Sequence, residues 1–212
     1  ELEGIYTHFA SADDDPDYTA EQIRLFNSVV KPLRASGFTF KYTHAANSAG
    51  TLASAANHFN LVRVGIAMHG VSPSPLMLVP EDFRPVMAWK TFVAQVKTLP
   101  PGHGVGYGHT YRTHGEERIA VLPVGYSDGF RRGPANWGTV LIHGQRAPLV
   151  GRVSMEKMAI NVTDIPDVGI GDEVVLLGQQ GDDRITAEEV AERLGTIPYE
   201  VLCAALSRSP RR

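Results

Sequence analysis

The sequence predicts an α/β segment followed by an all-β segment. Over residues 1–70, strand-like apolar runs alternate with stretches of helical periodicity. The proline-rich stretch Val71–Pro85 is typical of a linker. After it come short β-rich runs that are separated by glycine-containing turns. With 212 residues and 43 % hydrophobic residues, the chain is long enough for two small domains with real cores. We predict one domain over residues 1–82 and a second over residues 83–212.

The first segment alternates strands with helices. In chain order these are a strand at Gly4–Ala10, a helix at Tyr18–Ser36, a strand at Thr39–Ala45, a helix starting at Asn47 and a strand at Leu61–Gly70. This order predicts parallel strands joined by crossover helices. Three such units are too few to close a barrel, so a (β/α)8 barrel would be represented here by its last part.

The second segment predicts a small β-barrel or sandwich, because its strand-like runs are short and separated by turn residues. These runs are Met87–Thr98, Ile119–Val124, Gly138–Ile142, Val150–Val153, Ala159–Val162 and Glu173–Leu177. Near the end, Thr186 followed by Glu189 is a capping-box pattern. It predicts a helix over Ala187–Leu194 that stops at Gly195.

Composition excludes several classes of partner. The net charge of −3 gives no basic excess for nucleic acid, and no apolar run approaches the ~20 residues that cross a bilayer. The single cysteine, Cys203, cannot form an internal disulfide, and we expect it in the core. A cytoplasmic protein without a metal site fits this composition best.

The chain opens with Glu1-Leu2 and enters an apolar run at once. We expect that the sequence begins in the middle of a domain and that the N-terminal segment before it is missing. A processed chain would begin in the same way.

Polar residues near the ends of the predicted strands are candidates for a phosphate site. The Ser48 hydroxyl and the backbone N–H groups of Gly65 and Ile66, close to Asn47, are suitable donors for a dianion. The alternative is that these polar groups only form hydrogen bonds within the loops and bind no ligand.

Three charged or titratable residues interrupt apolar runs. Arg63 must find a partner, either in a structural ion pair or in a site. His8, and His44 similarly, would in isolation be satisfied core histidines.

Tyr107 is the candidate acid or base of the second segment. It lies between Gly106 and Gly108, which allow the backbone to approach a ligand closely, and a tyrosine hydroxyl can transfer protons. An exposed aromatic in a turn is the simpler interpretation. Two further candidate segments for a functional site are Gly125–Arg132 and Arg152–Glu156, which are rich in glycine, hydroxyl and charged residues.

Together these segments resemble the alanine racemase family, which are fold-type-III pyridoxal-phosphate enzymes. The matching stretches, in the family's order, are Thr7–Ala10, Ala46–Ala49, Val62–Ala67, Gly106–Gly108, Gly125–Gly129 and Gly151–Met155. The resemblance implies the C-terminal part of a (β/α)8 barrel that binds pyridoxal 5'-phosphate, followed by a mainly β C-terminal domain.

The resemblance also implies cofactor contacts. Arg63 would face the pyridine nitrogen and donate to it without losing its own proton. His8 would lie close to the ring. The phosphate or its approach would be lined by Asn47, Ser48, Gly65 and Ile66.

The implied reaction interconverts L-alanine and D-alanine, and supplies D-alanine for cell-wall peptidoglycan. Tyr107 would be one of two bases and would reach the cofactor of a neighbouring subunit, so a homodimer with shared active sites is implied. Tyr126 and Met155 would shape the pocket for the amino acid substrate.

Some family features are absent. None of the lysines has the context of the family's cofactor-bearing lysine; they are Lys31, Lys41, Lys90, Lys97 and Lys157. We therefore expect this chain to be inactive alone. Ser207 stands where many members have a tyrosine that touches the phosphate, and Ser207 would have to replace it as a cofactor contact.

Alternatives stay open at this point. A serine or broad-specificity racemase of the same family is the nearest one, because a single hydroxyl of difference is hard to read from sequence. A fold-type-III decarboxylase would share the barrel, but we would not expect the Gly106-Tyr107-Gly108 motif in it. A non-catalytic fragment that binds a partner through its β-domain is the third.

Overall fold

The computed structural model describes residues 2–77, 79–80, 82–205 and 208–210. The chain divides into two compact units, Glu1–Val86 and Met87–Arg212. Within the described residues, no helix combines the length and the apolar character that a membrane span requires.

The first unit is built on a parallel strand pair with a crossover helix. Strand β1 (Gly4–Tyr6) pairs in parallel with β2 (Tyr42–His44), and helix α1 (Pro16–Ala35) lies between them in the chain. Both strands are shorter than predicted. Their carboxyl ends lie side by side, so the residues that follow β1 and β2 come close together.

Local sequence explains the helices of this unit. Asp15 caps α1 by accepting the backbone N–H of Tyr18 at 2.8 Å, and Pro16 occupies the first helical position, where its missing N–H costs nothing. Helix α2 (Ser48–Ala53) begins after Asn47, whose side-chain oxygen accepts the N–H of Gly50 at 2.9 Å. The predicted start of this helix is confirmed.

The predicted third strand at Leu61–Gly70 is wrong. Residues 61–65 have no regular structure, and Ile66–His69 form a 3-10 turn that ends at Gly70 with φ +67°. The backbone N–H of Arg63 bonds to the Ala46 carbonyl at 2.9 Å, but no continuous ladder forms around this bond. The apolar run therefore marks a partly buried segment, in which Ile66 and Ala67 are buried, and not a strand.

The second unit is mainly β, as predicted. Its strands in chain order are β3 (Trp89–Phe92), β4 (Gln95–Leu99), β5 (Gly104–Val105), β6 (Tyr111–Arg112), β7 (Glu117–Leu122), β8 (Thr139–Ile142), β9 (Gln145–Val150), β10 (Met158–Asn161), β11 (Glu173–Gln180) and β12 (Asp183–Ile185). Eight strands form one antiparallel sheet in the order β12-β11-β8-β9-β10-β7-β4, with β3 also paired to β11. Strands β5 and β6 form a separate small hairpin.

Two predicted strands of this unit need correction. The run Met87–Thr98 is two strands, because the N–H of Val93 bonds to Asp172 and the N–H of Ala94 bonds to Val121, so the chain changes pairing partner there. The run Val150–Val153 is not a strand beyond its first residue. Strand β9 ends at Val150 because Gly151 turns the backbone with φ +71°.

Two helices complete the second unit. Helix α3 (Ala187–Leu194) has the predicted bounds, and the Thr186 side chain caps it by accepting the N–H of Glu189 at 3.1 Å. Helix α4 (Pro198–Ala204) was not predicted. The expectation of a core Cys203 is wrong, because Cys203 is exposed. On α4 the neighbouring Val201 is the buried side chain, and two positions further along a helix point to a different side.

Candidate active site

Arg63 is the centre of a polar cluster at the carboxyl ends of β1 and β2. Its Nη2 donates to His8 Nδ1 at 2.7 Å, to the Thr7 carbonyl at 3.2 Å and to the Ala45 carbonyl at 3.4 Å. Its Nη1 donates to His44 Nδ1. Hydrogen bonds to uncharged acceptors thus hold the guanidinium within its mostly apolar segment.

The cluster sets the hydrogen-bonding roles of both histidines. An arginine can only donate, so the Nδ1 atoms of both histidines accept from Arg63. Burial and the charge of Arg63 lower the pKa of His44 from its ordinary value. Tyr6 covers the cluster, since its ring stacks on His44 at 5.2 Å and 7° and lies 5.6 Å from the Arg63 guanidinium carbon.

A group of hydrogen-bond donors surrounds the Ser48 hydroxyl. Its oxygen accepts the N–H of Gly65 at 2.9 Å and that of Ala67 at 3.4 Å, at the start of the 3-10 turn that contains Ile66. A Cβ placed on Gly65 would meet no atom of the described residues within 4 Å, so these donors adjoin open space within that part of the chain. A hydroxyl, successive backbone N–H groups and free space are what an anionic group needs.

Two other predicted cofactor contacts differ from this group. The Asn47 side-chain oxygen is occupied as the cap of α2, so its contribution here is to position Ser48. Ser207 lies outside the described residues.

Tyr107 lies on the loop of the β5–β6 hairpin in the second unit. Gly106 and Gly108 flank it with φ +70° and +71°, a region that other residues rarely adopt. A Cβ on Gly106 would come within 3.3 Å of the backbone of Arg152. The phenol is 67 % exposed, so it is presented outward and not packed into the sheet.

A buried carboxylate anchors this hairpin to the sheet. Glu117 on β7 accepts from the Tyr111 hydroxyl at 2.7 Å, the His114 backbone N–H at 2.8 Å and the Asn161 side chain at 3.1 Å. Burial by itself would raise the pKa of Glu117, but the hydrogen bonds from the Tyr111 hydroxyl and the His114 backbone N–H contribute to lowering it below its usual range. Burial and the bond to Glu117 raise the pKa of Tyr111.

Tyr126 and Met155 lie on two loops that are bonded to each other. The Tyr126 N–H donates to the Ser154 carbonyl at 3.1 Å, and both the N–H and the hydroxyl of Ser127 donate to the Met155 carbonyl at 2.9 and 2.7 Å. A Cβ on Gly125 would fall 2.2 Å from the Ser154 oxygen, so glycine is required there. Tyr126 and Met155 are both exposed.

A cavity of about 540 Å³ adjoins the Tyr107 loop. Its floor is apolar and includes Leu99, Val105 and Ile119, and its charged lining residues are Lys97, Arg152 and Lys157. A cavity with basic walls favours an anionic ligand.

The structure brings the predicted residues together in three groups. His8 contacts Arg63, Ser48 contacts Gly65 next to Ile66, and the loops of Tyr126 and Met155 are paired, while Tyr107 is on its own hairpin. Sequence reasoning missed His44 and Glu117 as supporting groups. A signal for His44 existed, because it ends a strand parallel to the one that His8 follows.

Two family models match the sequence. "Alanine racemase, N-terminal domain" matches residues 1–73, and "Alanine racemase, C-terminal domain" matches residues 86–212. The chain is 44 % identical over 211 residues to the alanine racemase of Halothermothrix orenii and 43 % identical over 213 residues to that of Methanococcus maripaludis. These alignments cover 99 % and 100 % of the chain, but only 56 % and 57 % of the relatives.

Solved structures agree with the sequence comparison. The chain superimposes on an alanine racemase from Bacillus anthracis with bound L-Ala-P with a TM-score of 0.93 at 43 % identity, covering 100 % of this chain and 55 % of that one. For the enzyme from Streptomyces coelicolor the TM-score is 0.91 at 40 % identity, with 100 % and 56 % coverage. The chain thus spans about half the length of the proteins that it matches.

Proposed function

The chain belongs to the alanine racemase family, and on that premise we propose that it supplies one catalytic base and most of a pyridoxal-phosphate site to an enzyme that interconverts L-alanine and D-alanine. The first unit is then the closing part of a (β/α)8 barrel. The product would serve peptidoglycan synthesis.

The observation that carries the proposal is the presentation of Tyr107. Two left-handed glycines and a hairpin anchored on Glu117 hold an exposed phenol away from its own sheet. Such an arrangement costs backbone freedom and leaves an aromatic side chain in water, which folding alone does not favour. A proton-transfer role at a site that this unit does not itself contain accounts for it.

The residues of the first unit fit pyridoxal phosphate. The Ser48 hydroxyl and the N–H of Ile66 suit its phosphate, and Gly65, whose N–H donates to the Ser48 oxygen, lines the space beside them. Nη1 and Nη2 of Arg63 are engaged, and its Nε–H has no acceptor among the described residues, so this donor is free for the pyridine nitrogen. Pyridoxal phosphate, when joined to an amino acid, withdraws electrons from the α-carbon and makes its hydrogen acidic.

Arg63 and Tyr107 of this chain then have separate roles in the reaction. Arg63 donates a hydrogen bond and keeps its proton at any working pH. Tyr107 removes the α-proton of L-alanine, or returns a proton to the same face when D-alanine is the substrate. A base on the opposite face is also needed, and we assign it to a lysine supplied from outside residues 1–212.

We place Tyr107 in the active site of a second copy, so that the enzyme is a homodimer with shared sites. The paired loops of Tyr126 and Met155 would line the substrate pocket of that site. Serine or broader specificity is the alternative, because one hydroxyl of difference is hard to read from sequence, and no described residue favours it over alanine.

The test uses Tyr107→Phe in the pyridoxal-phosphate-loaded enzyme that contains this chain. We expect exchange of the L-alanine α-proton with solvent to fall by at least a hundredfold, because general base catalysis contributes about 10²–10⁴. Cofactor absorbance should be unchanged. Wild-type exchange rates in the variant would show that another group is the base. A wild-type enzyme with neither cofactor absorbance nor exchange would instead favour a binding-only role.

A further inference from the structure

The guanidinium of Arg132 lies over the ring of Tyr107. The Arg132 guanidinium carbon is 6.0 Å from the Tyr107 ring centroid. Arg132 Nη1 also donates to the Val153 carbonyl at 2.5 Å. Arg132 thus joins the tyrosine side chain to the loop that leads to Met155.

The hairpin fixes the Tyr107 backbone but leaves its ring to be oriented. The two glycines set the chain direction, and the side chain still has two torsions that solvent does not restrict at 67 % exposure. Proton transfer is sensitive to such freedom, because a base must be held within hydrogen-bonding distance of the proton that it takes.

Arg132 is suited to restrict the ring, because its guanidinium is hydrogen-bonded to a loop with a buried residue. Val153, whose carbonyl holds the guanidinium, is 1 % exposed. The same loop is closed by the bond from the Ser154 N–H to the Lys157 carbonyl at 2.8 Å. A planar cation held at one end can lie over an aromatic face and favour one orientation of it.

We propose that Arg132 is a positioning residue for Tyr107, which holds the phenol ring in its proton-transfer orientation through a cation–π contact anchored on Val153. This inference rests on the proposed function. It concerns how the base is held and leaves the identity of the base unchanged.

Three variants separate charge from hydrogen bonding. Arg132→Lys keeps a cation, whereas Arg132→Gln is neutral but can still donate to the Val153 carbonyl. Arg131→Gln is the matched control. Arg131 precedes Arg132 in sequence, but it lines a cavity with Trp137 and Glu200 and not the cavity beside the Tyr107 loop.

The first readout is the deuterium isotope effect in the loaded enzyme. With Arg132→Gln we expect L-alanine turnover to fall about two- to fivefold, the range for an exposed cation–π contact, with little change in KM. The isotope effect with α-deuterated L-alanine should rise, since the Tyr107 step becomes more rate-limiting. The isotope effect with α-deuterated D-alanine should not rise. Arg132→Lys and Arg131→Gln should stay within twofold of wild type.

The second readout needs neither cofactor nor turnover. With 3-fluorotyrosine at position 107 of the full chain, Arg132→Gln should shift the ¹⁹F resonance and narrow it toward that of a freely turning ring, and Arg131→Gln should do neither. Unchanged isotope effects and resonance in Arg132→Gln, or equal changes in both variants, overturn the inference. A wild-type enzyme that lacks alanine exchange overturns the proposed function instead, and the ¹⁹F comparison still tests Arg132.

Discussion

The Ser48 hydroxyl oxygen accepts the backbone N–H of Gly65 at 2.9 Å, across seventeen positions of sequence. This bond joins the start of α2 to the 3-10 turn at Ile66, and Ser48 is 2 % exposed. One buried hydroxyl therefore holds together the donors that we assign to the cofactor phosphate.

Ser48→Ala should weaken the binding of pyridoxal phosphate about tenfold, because it removes one donor and leaves the Gly65 N–H without its present acceptor, a loss of about 1–2 kcal/mol. Absorbance titration of the enzyme measures this. Pyridoxal, which lacks the phosphate, is the control ligand and should bind both proteins alike. An equal loss for both ligands would mean that Ser48 does not act through the phosphate.

His44 should make the first unit sensitive to acid. Its pKa is lowered in the folded state by burial and by Arg63, so the unfolded state takes up the proton first as pH falls. The stability that this group contributes is complete above its unfolded pKa of about 6.5 and is lost as pH falls through the folded value. Thermal unfolding between pH 7.5 and 5 should show the loss.

The variants for this experiment are His44→Gln and His69→Gln. The first should flatten the pH dependence of the unfolding temperature. The second alters an exposed histidine of the same unit and should leave the pH dependence as in wild type. If His44→Gln keeps the wild-type slope, the linkage to His44 is wrong.

Glu117→Gln should destabilise the second unit by about 1–3 kcal/mol at pH 7, because a buried acceptor of three bonds loses its charge. The folded pKa of Glu117 is lowered, so its contribution is present above about pH 4.5 and disappears as pH falls through the folded value. Denaturant unfolding at pH 7 and pH 4 should show the gap between wild type and variant closing in acid. A gap that stays constant with pH would contradict the assignment.

Gly125→Ala should separate the two loops that carry Tyr126 and Met155. Its Cβ would lie 2.2 Å from the Ser154 oxygen and 2.5 Å from that of Met155, so backbone must move. We expect a loss of about 2–4 kcal/mol in unfolding free energy. The control is Gly115→Ala, where a Cβ meets nothing within 4 Å, and it should be near neutral.

Sequence patterns predicted the elements whose signals are local. The Asn47 and Thr186 caps and the bounds of α3 follow from side chains that bond to nearby N–H groups, so a short window contains the information. The change of pairing partner at Val93 and Ala94 depends on Asp172 and Val121, which are far away in sequence. The strand wrongly predicted at Leu61–Gly70 has the same origin, because a local apolar run does not show whether the segment has a strand partner.

The candidate site divides in a similar way. The residue types of Arg63, Ser48 and Tyr107 could be recognised one at a time. The lowered pKa of His44 could not be predicted, because it depends on burial and on a guanidinium nineteen positions later. The role of Glu117 was hidden too, since a single acidic residue at the start of a strand is indistinguishable from a solvated one until its three donors are known.

The hairpin that presents Tyr107 is anchored to the sheet by the hydrogen bonds of Glu117, and the Tyr107 phenol takes no part in those bonds. A single natural substitution at Tyr107 would therefore remove or alter the proposed reaction while the fold is retained. Homologues that descend from such a chain would keep the family's fold after losing its reaction. In this family, a shared fold is therefore weak evidence of a shared activity.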